Sequence, residues 1–180
     1  CRTEPEPEAT PKEIRLPEAP VRYEVGESVW TIALFVDLEA TESRQAFAQA
    51  TRAVSEALLF GGPAELRLLH TPACPPEERG RLRCIGARAV ECGEAQRPGT
   101  GVRLAGAVMD LQWEPSERRT QEEIEARARR LGLDIAALRG CMAEDLAVEA
   151  RLREHAAYAR AHGLVGDSAG YVMRIGTPLK

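Results

Sequence analysis

The chain has 180 residues, 44% of them hydrophobic and 29% charged, with a formal net charge of −4; this suits one substantial core and does not favour a second. All but two of its 24 basic residues are arginine, the exceptions being Lys12 and Lys180, and the arginines of Arg127 to Arg130 follow Glu117, Glu122, Glu123 and Glu125. No basic face for nucleic acid stands out, and no apolar run approaches the roughly 18 residues needed to cross a bilayer.

Residues 1–20 read as a flexible N-terminal tether, because Pro5, Pro7, Pro11 and the interspersed acids cannot pack a core. The chain opens at Cys1, which resembles a mature bacterial lipoprotein whose signal peptide is cleaved before the lipid-bearing cysteine. On that reading Cys1 is the lipid anchor, and the protein sits on the periplasmic or cell-surface side of a bacterial membrane. Val21 to Val25 alternates apolar and polar residues and predicts a short edge strand ending at Gly26. Trp30 to Leu38, rich in β-branched and aromatic residues, predicts a buried central strand. From Glu42 to Phe60, Ala46, Phe47, Ala50, Val54, Ala57 and Leu58 recur at helical spacing until Gly61, Gly62 and Pro63 stop the helix. Leu66 to His70 predicts another strand. Strand, helix and strand form one right-handed crossover with parallel pairing.

A helical block follows. Pro76 to Cys92 predicts its first helix, and Gly93 to Gly101, with Pro98, predicts a loop. Val102, Ala105, Val108, Met109 and Leu111 outline a helix ending near Pro115. Thr120 and Glu123 form a capping-box pattern leading into Ile124 to Leu131, with Ser116 as an alternative start and Gly132 as the stop. Asp134 is placed to cap a short helix from Ile135 to Cys141, and a long helix runs from about Ala143 to His162 with Gly163 at its C′ position. Tyr171 to Ile175 returns as a strand.

Cys1 aside, Cys74, Cys84, Cys92 and Cys141 form an even set with three pairings. If Pro76 to Cys92 is helical, Cys84 and Cys92 lie about 12 Å apart along the axis, too far to bridge. That removes one pairing and leaves two. There is no Cys-x-x-Cys and no Cys/His spacing of a zinc site, so the cysteines read as structural staples, with no metal or cofactor expected.

Phe35 to Arg44, FVDLEATESR, resembles the active-site entry of the DsbA-like thioredoxin-fold family. There a buried strand runs into an acidic turn, then Cys-x-x-Cys, then a helix whose N-terminus lowers the first thiol's pKa. Leu131 to Met142, LGLDIAALRGCM, has the glycine, acidic cap and cysteine at the spacing of many members, and His70 to Pro72 resembles the His-x-Pro that often ends the second strand. The resemblance covers about Val21 to Leu179. It implies an α/β thioredoxin fold over 21–180 with a helical subdomain inserted at about 74–145, and it implies the pairing Cys74–Cys84 with Cys92–Cys141.

The family's Cys-x-x-Cys positions are here Ala40, Thr41, Glu42 and Ser43. Thiol–disulfide exchange needs a thiolate and a resolving sulfur, so catalysis is not expected and the site reads as degenerate. The family's cis-proline loop should follow Gly163 to Gly166, where this chain has Asp167 and Ser168. A non-proline cis bond costs about 2.5–4 kcal/mol, so a trans loop is expected. Family members continue past the turn matching Gly176 to Leu179 with a further strand and helix; here the sequence stops at Lys180. Tyr171 to Ile175 is then expected to offer an open edge for a partner's strand, the alternative being an edge covered by a loop or by the tether.

The resemblance implies a redox-inactive binding or assembly subunit of an extracytoplasmic complex. Its protein partner is expected at Glu42, Ser43, Arg44, Asp167, Ser168 and Tyr171, or along the Tyr171–Ile175 edge. Two alternatives are a thiol-independent enzyme using Ser43, as kappa-class glutathione transferases use a serine nearby, and an oxidoreductase using displaced cysteines such as Cys74 and Cys84. From the residues themselves, Glu42 and Ser43 read first as helix caps, and Asp37 with Glu39 as solvated turn residues rather than an acid–base pair. His155 and His162, seven apart on one helix, share a face without a third ligand; His70 reads as a loop or core histidine, and Trp30 and Trp113 as packing residues.

Overall fold

Four strands, β1 (Arg22–Val25), β2 (Trp30–Val36), β3 (Ala64–His70) and β4 (Gly170–Ile175), form one sheet in the order β1-β3-β2-β4. The structure is a computed structural model; it describes residues 16–25, 30–59, 64–72, 74–75, 81–111, 117–164 and 170–175, with the backbone alone at 23–25, 58–59, 82, 117–119 and 170–175. β2 and β3 pair in parallel from Trp30↔Ala64 to Val36↔His70, while β1 and β4 join them antiparallel. The parallel pair follows from α1 (Thr41–Leu59), a helical crossover that returns the chain to the starting end of the sheet.

β2 is buried on both faces, which explains its near-continuous apolar sequence. Ile32, Leu34 and Val36 join Leu66 and Leu68 of β3 and Ala50 and Val54 of α1 in the main core. The alternate residues Ala33 and Phe35, with Leu69, pack on the other face against Ala159 and Tyr158. Those two residues belong to α6 (Leu146–Ala161), so the sheet is sandwiched between helices. Trp30 is partly buried against the main core, whereas Trp113 lies outside the described residues.

Between β3 and α6 come α2 (Leu82–Gln96), α3 (Thr100–Met109), α4 (Glu117–Arg130) and α5 (Ile135–Glu144). The predicted loop from Gly93 to Gly101 shrinks to a three-residue turn, since α2 runs on to Gln96 and α3 starts at Thr100. Gly93 and Gly101 sit inside helices because neighbouring elements approach them closely. A Cβ at Gly93 would lie 3.2 Å from Leu104 and Leu133, and one at Gly101 only 2.8 Å from Val21 Cγ1. Gly99, at φ 78°, is the glycine that makes the turn. α3 ends at Met109, ahead of the predicted Pro115, with Asp110 N–H bonded to the Gly106 carbonyl.

Thr120 is not a cap. α4 begins at Glu117, so Thr120 lies buried within the helix. The far end is as expected: Gly132, at φ 81°, allows Leu133 N–H to reach the Ala128 carbonyl at 3.1 Å and its own N–H to reach Arg129 at 3.0 Å. Asp134 Oδ1 accepts from Ala136 N–H and Ala137 N–H at 2.8 and 3.0 Å. The break between α5 and α6 falls at Asp145 and not at residues 141–143, because Asp145 Oδ1 caps α6 through Ala147 N–H and Val148 N–H at 2.8 and 3.1 Å. Gly163, at φ 71°, closes α6, and Leu164 N–H reaches the Ala159 carbonyl at 2.8 Å.

Cys74 is bonded to Cys84 and Cys92 to Cys141, the pairing the resemblance implies, with Cα separations of 5.3 and 5.9 Å. The first bridge ties the segment after β3 to the first turn of α2, and the second ties α2 to α5. Loop-closure entropy assigns them about 3 and 4 kcal/mol.

Candidate functional site

The chain leaves β2 at Asp37, whose groups build the turn into α1. Its carbonyl accepts from Ala40 N–H at 3.0 Å, its Oδ1 from Glu39 N–H at 2.9 Å, and its own N–H donates to Ser43 Oγ at 3.0 Å. Asp37 is buried, which corrects the reading of a solvated turn residue. The reason lies on α2: Arg83 reaches Asp37 Oδ2 at 3.6 Å and Glu39 Oε2 at 3.9 Å, so both carboxylates converge on one guanidinium.

Ala40 precedes α1 and its carbonyl accepts the first helical bond, from Arg44 N–H at 3.2 Å. It therefore holds the N-cap position without a capping oxygen. Thr41 and Glu42 are exposed, and Glu42 complements the helix dipole from the first turn. Ser43 is fully buried. It does not cap the helix amides, as the sequence suggested; it accepts the Asp37 N–H and locks the turn to the helix. Its hydroxyl makes no other hydrogen bond among the described residues. Arg44 pairs with Asp110 at 2.8 Å, both more than half exposed, a contact worth little.

Tyr171 pairs with Leu34 and Gly170 with Phe35, so the start of β4 meets the end of β2 beside this turn. Among the described residues no strand pairs with the other edge of β4. Asp167, Ser168 and Cys1 lie outside the described residues. Cys84 is buried and Cys74 half-buried, each held in a disulfide.

A second polar cluster, which no local pattern announced, sits where β3 ends. His70, Glu91 and His155 are each fully buried. Glu91 Oε1 faces His70 Nε2 at 3.4 Å, and Arg151 Nε donates to Glu91 Oε2 at 3.2 Å. Burial raises the Glu91 carboxyl, yet the neighbouring His70 first, then His155 and Arg151, outweigh it and hold the group below its ordinary value. His155 Nε2 lies 2.6 Å from the Glu18 carbonyl, and His70 N–H points at His155 Nδ1 at 3.4 Å. One nitrogen donates and the other accepts, so His155 is the neutral tautomer protonated on Nε2. Burial, followed by the nearby His70, pushes its pKa down, against a smaller opposing pull from the Glu18 carbonyl and Glu91. His155 and His162 do not share a setting, because His162 lies past the end of α6, exposed and stacked on Tyr158 at 4.0 Å.

Among the described residues no three His, Cys, Asp or Glu groups converge as a metal site, and no helix is long and apolar enough to cross a membrane. No protein-family model and no curated protein sequence matches the chain. Solved structures do share its fold. Pseudomonas aeruginosa DsbA2 superposes with a TM-score of 0.64 at 19% identity, over 90% of this chain and 83% of its own. The thiol-disulfide exchange protein alpha-DsbA2 of Wolbachia pipientis gives 0.68 at 13% identity, over 86% and 76%. A thioredoxin-like oxidoreductase from Silicibacter pomeroyi DSS-3 gives 0.66 at 20% identity, over 89% and 86%. The fold is thus the DsbA-like thioredoxin fold with its helical insertion.

Proposed function

We infer that this chain is a redox-inactive DsbA-like protein that works by binding a protein partner in an extracytoplasmic compartment. The observation that carries this is chemical. At the start of α1, after the central strand of a DsbA-like fold, stand Ala40 and a sealed Ser43, and neither can form or receive a disulfide. The two disulfides support an oxidising compartment, since such bonds persist there and are rare in the cytosol. Exposed Thr41, Glu42 and Arg44 form the candidate binding face, with Asp167 and Ser168 assigned to it by resemblance. The β4 edge at Tyr171–Ile175 is the companion surface, where main-chain bonds supply affinity and side chains supply selectivity. Burial of Ser43 weighs against a transferase built on its hydroxyl.

Insulin reduction with dithiothreitol as electron source tests this reading. The wild-type protein is expected to reduce insulin no faster than the reductant alone, and native thiol counting is expected to find Cys74, Cys84, Cys92 and Cys141 all oxidised. The A40C/S43C variant is expected to gain exchange activity on the same scaffold. Wild-type turnover comparable to that of an active DsbA would overturn the inference.

A further inference from the structure

Between β1, β3, α2 and α6, with no wall from α1, lies a cavity of about 400 Å³, within the range that holds a small molecule. Arg22, Arg67 and Arg151, from three different elements, line it together with Glu18, Glu91 and Glu94. A count of donors and acceptors decides what it suits. Arg67 Nε pairs with Glu65 Oε1 at 2.9 Å, and Arg151 Nε donates to Glu91 Oε2 at 3.2 Å. Glu65 is 3% exposed and Glu91 0%, and Thr31 Oγ1 donates to the second oxygen of Glu65 at 2.9 Å. Arg151 is therefore hydrogen-bonded from behind through Nε, and Arg67 is held from behind by the charge of Glu65, a contact without hydrogen-bond geometry. Their terminal nitrogens make no other hydrogen bond or ion pair among the described residues.

The acids of the cavity are already used. Glu91 turns its other oxygen toward His70. Glu94 accepts Gly99 N–H and Gly101 N–H at 2.8 Å each and so closes the turn into α3. Glu18, exposed at the rim, keeps an uncommitted carboxylate. Donors thus exceed acceptors, and they are planar guanidinium forks whose geometry matches a carboxylate.

We propose that this cavity binds a small carboxylate, received by the terminal nitrogens of Arg67 and Arg151, with its hydrocarbon part against Ala95 and Pro98. Arg67 and Arg151 are 17% and 20% exposed, so the charge is partly desolvated while remaining reachable from solvent. Glu65 and Glu91 act as positioning residues that hold the forks. The site is independent of the face at the start of α1.

Calorimetric titration with succinate, beside a parallel titration with inorganic phosphate, tests the proposal. One saturable succinate site is expected. Arg67→Lys and Arg151→Lys each weaken it by about tenfold or more, the cost of a lost charge-assisted fork, while Arg52→Lys, at an exposed position of α1 outside the cavity, leaves it unchanged. Because the Arg67 and Arg151 variants disturb buried Glu65 and Glu91, the wild-type protein supplies a second readout. Succinate should protect Arg67 and Arg151, but not Arg52, from modification by phenylglyoxal as read by peptide mass spectrometry. Absence of saturable succinate binding, binding without protection of either arginine, or binding of phosphate alone would overturn it.

Discussion

Ser43 and Asp37 show how far a single residue can be understood before its neighbours are known. The string FVDLEATESR points to a strand, an acidic turn and a helix start, and that is what forms. Its place at the start of the predicted helix marks Ser43 as a cap candidate, yet the side chain turns away from the helix amides and accepts the Asp37 N–H at 3.0 Å in a buried setting. Removing a buried acceptor strands its donor, so Ser43→Ala is expected to cost about 1–3 kcal/mol, read as a lowered urea midpoint. An unchanged midpoint would mean that water reaches the Asp37 amide. The burial of Asp37 itself was illegible, because Arg83 lies 46 positions further along the chain.

At the scale of elements, every described strand and helix was expected, and the errors fall at boundaries. Gly93 and Gly101 read as breakers when judged by conformational entropy alone; in the fold their missing side chains are what let α3 come close to α2 and the chain before β1. Asp145 carries the same signature as Asp134, an acid one residue ahead of a helix, and sets the start of α6 later than the predicted Ala143. Both cap through two amides. Asp145→Ala is expected to destabilise the protein by about 1 kcal/mol and to speed amide exchange at Ala147 and Val148 more than elsewhere. Equal exchange across α6 would show that packing, not the cap, fixes its start.

Over the whole molecule, the buried cluster at the end of β3 makes stability depend on pH. The β1 side of β3 is paired as far as Leu68 N–H, which reaches the Val21 carbonyl at 2.9 Å. His155 supplies the next rung, taking His70 N–H on one nitrogen and giving the other to the Glu18 carbonyl. Because its folded pKa lies below the ordinary 6.5, the unfolded chain takes up a proton first as pH falls. Stability is therefore full above about pH 6.5 and declines below it. Glu91 has the same sign: held below the ordinary 4.5, it contributes above that value and its contribution is lost as pH falls through the folded pKa. Urea unfolding from pH 7.5 to 4 is expected to show falling stability in two stages, each no steeper than about 1.4 kcal/mol per pH unit for one proton. His155→Asn is expected to flatten the upper stage. A wild-type profile level from pH 7.5 to 5.5 would contradict the burial of a neutral His155.

The chain by itself determined the order of strands and helices, the insertion of a helical block and the absence of thiols at positions 40 to 43. These follow from periodicity, from turn residues and from composition, all of which act over a few residues. Which polar groups are buried together was decided only by the tertiary structure. His70 meets His155 across 85 positions, Glu18 meets His155 across 137, and Arg151 meets Glu91 across 60. A buried charge is tolerable only beside its partner, and at such separations the partner is chosen by how the sheet and helices stack, for which no local pattern carries a signal.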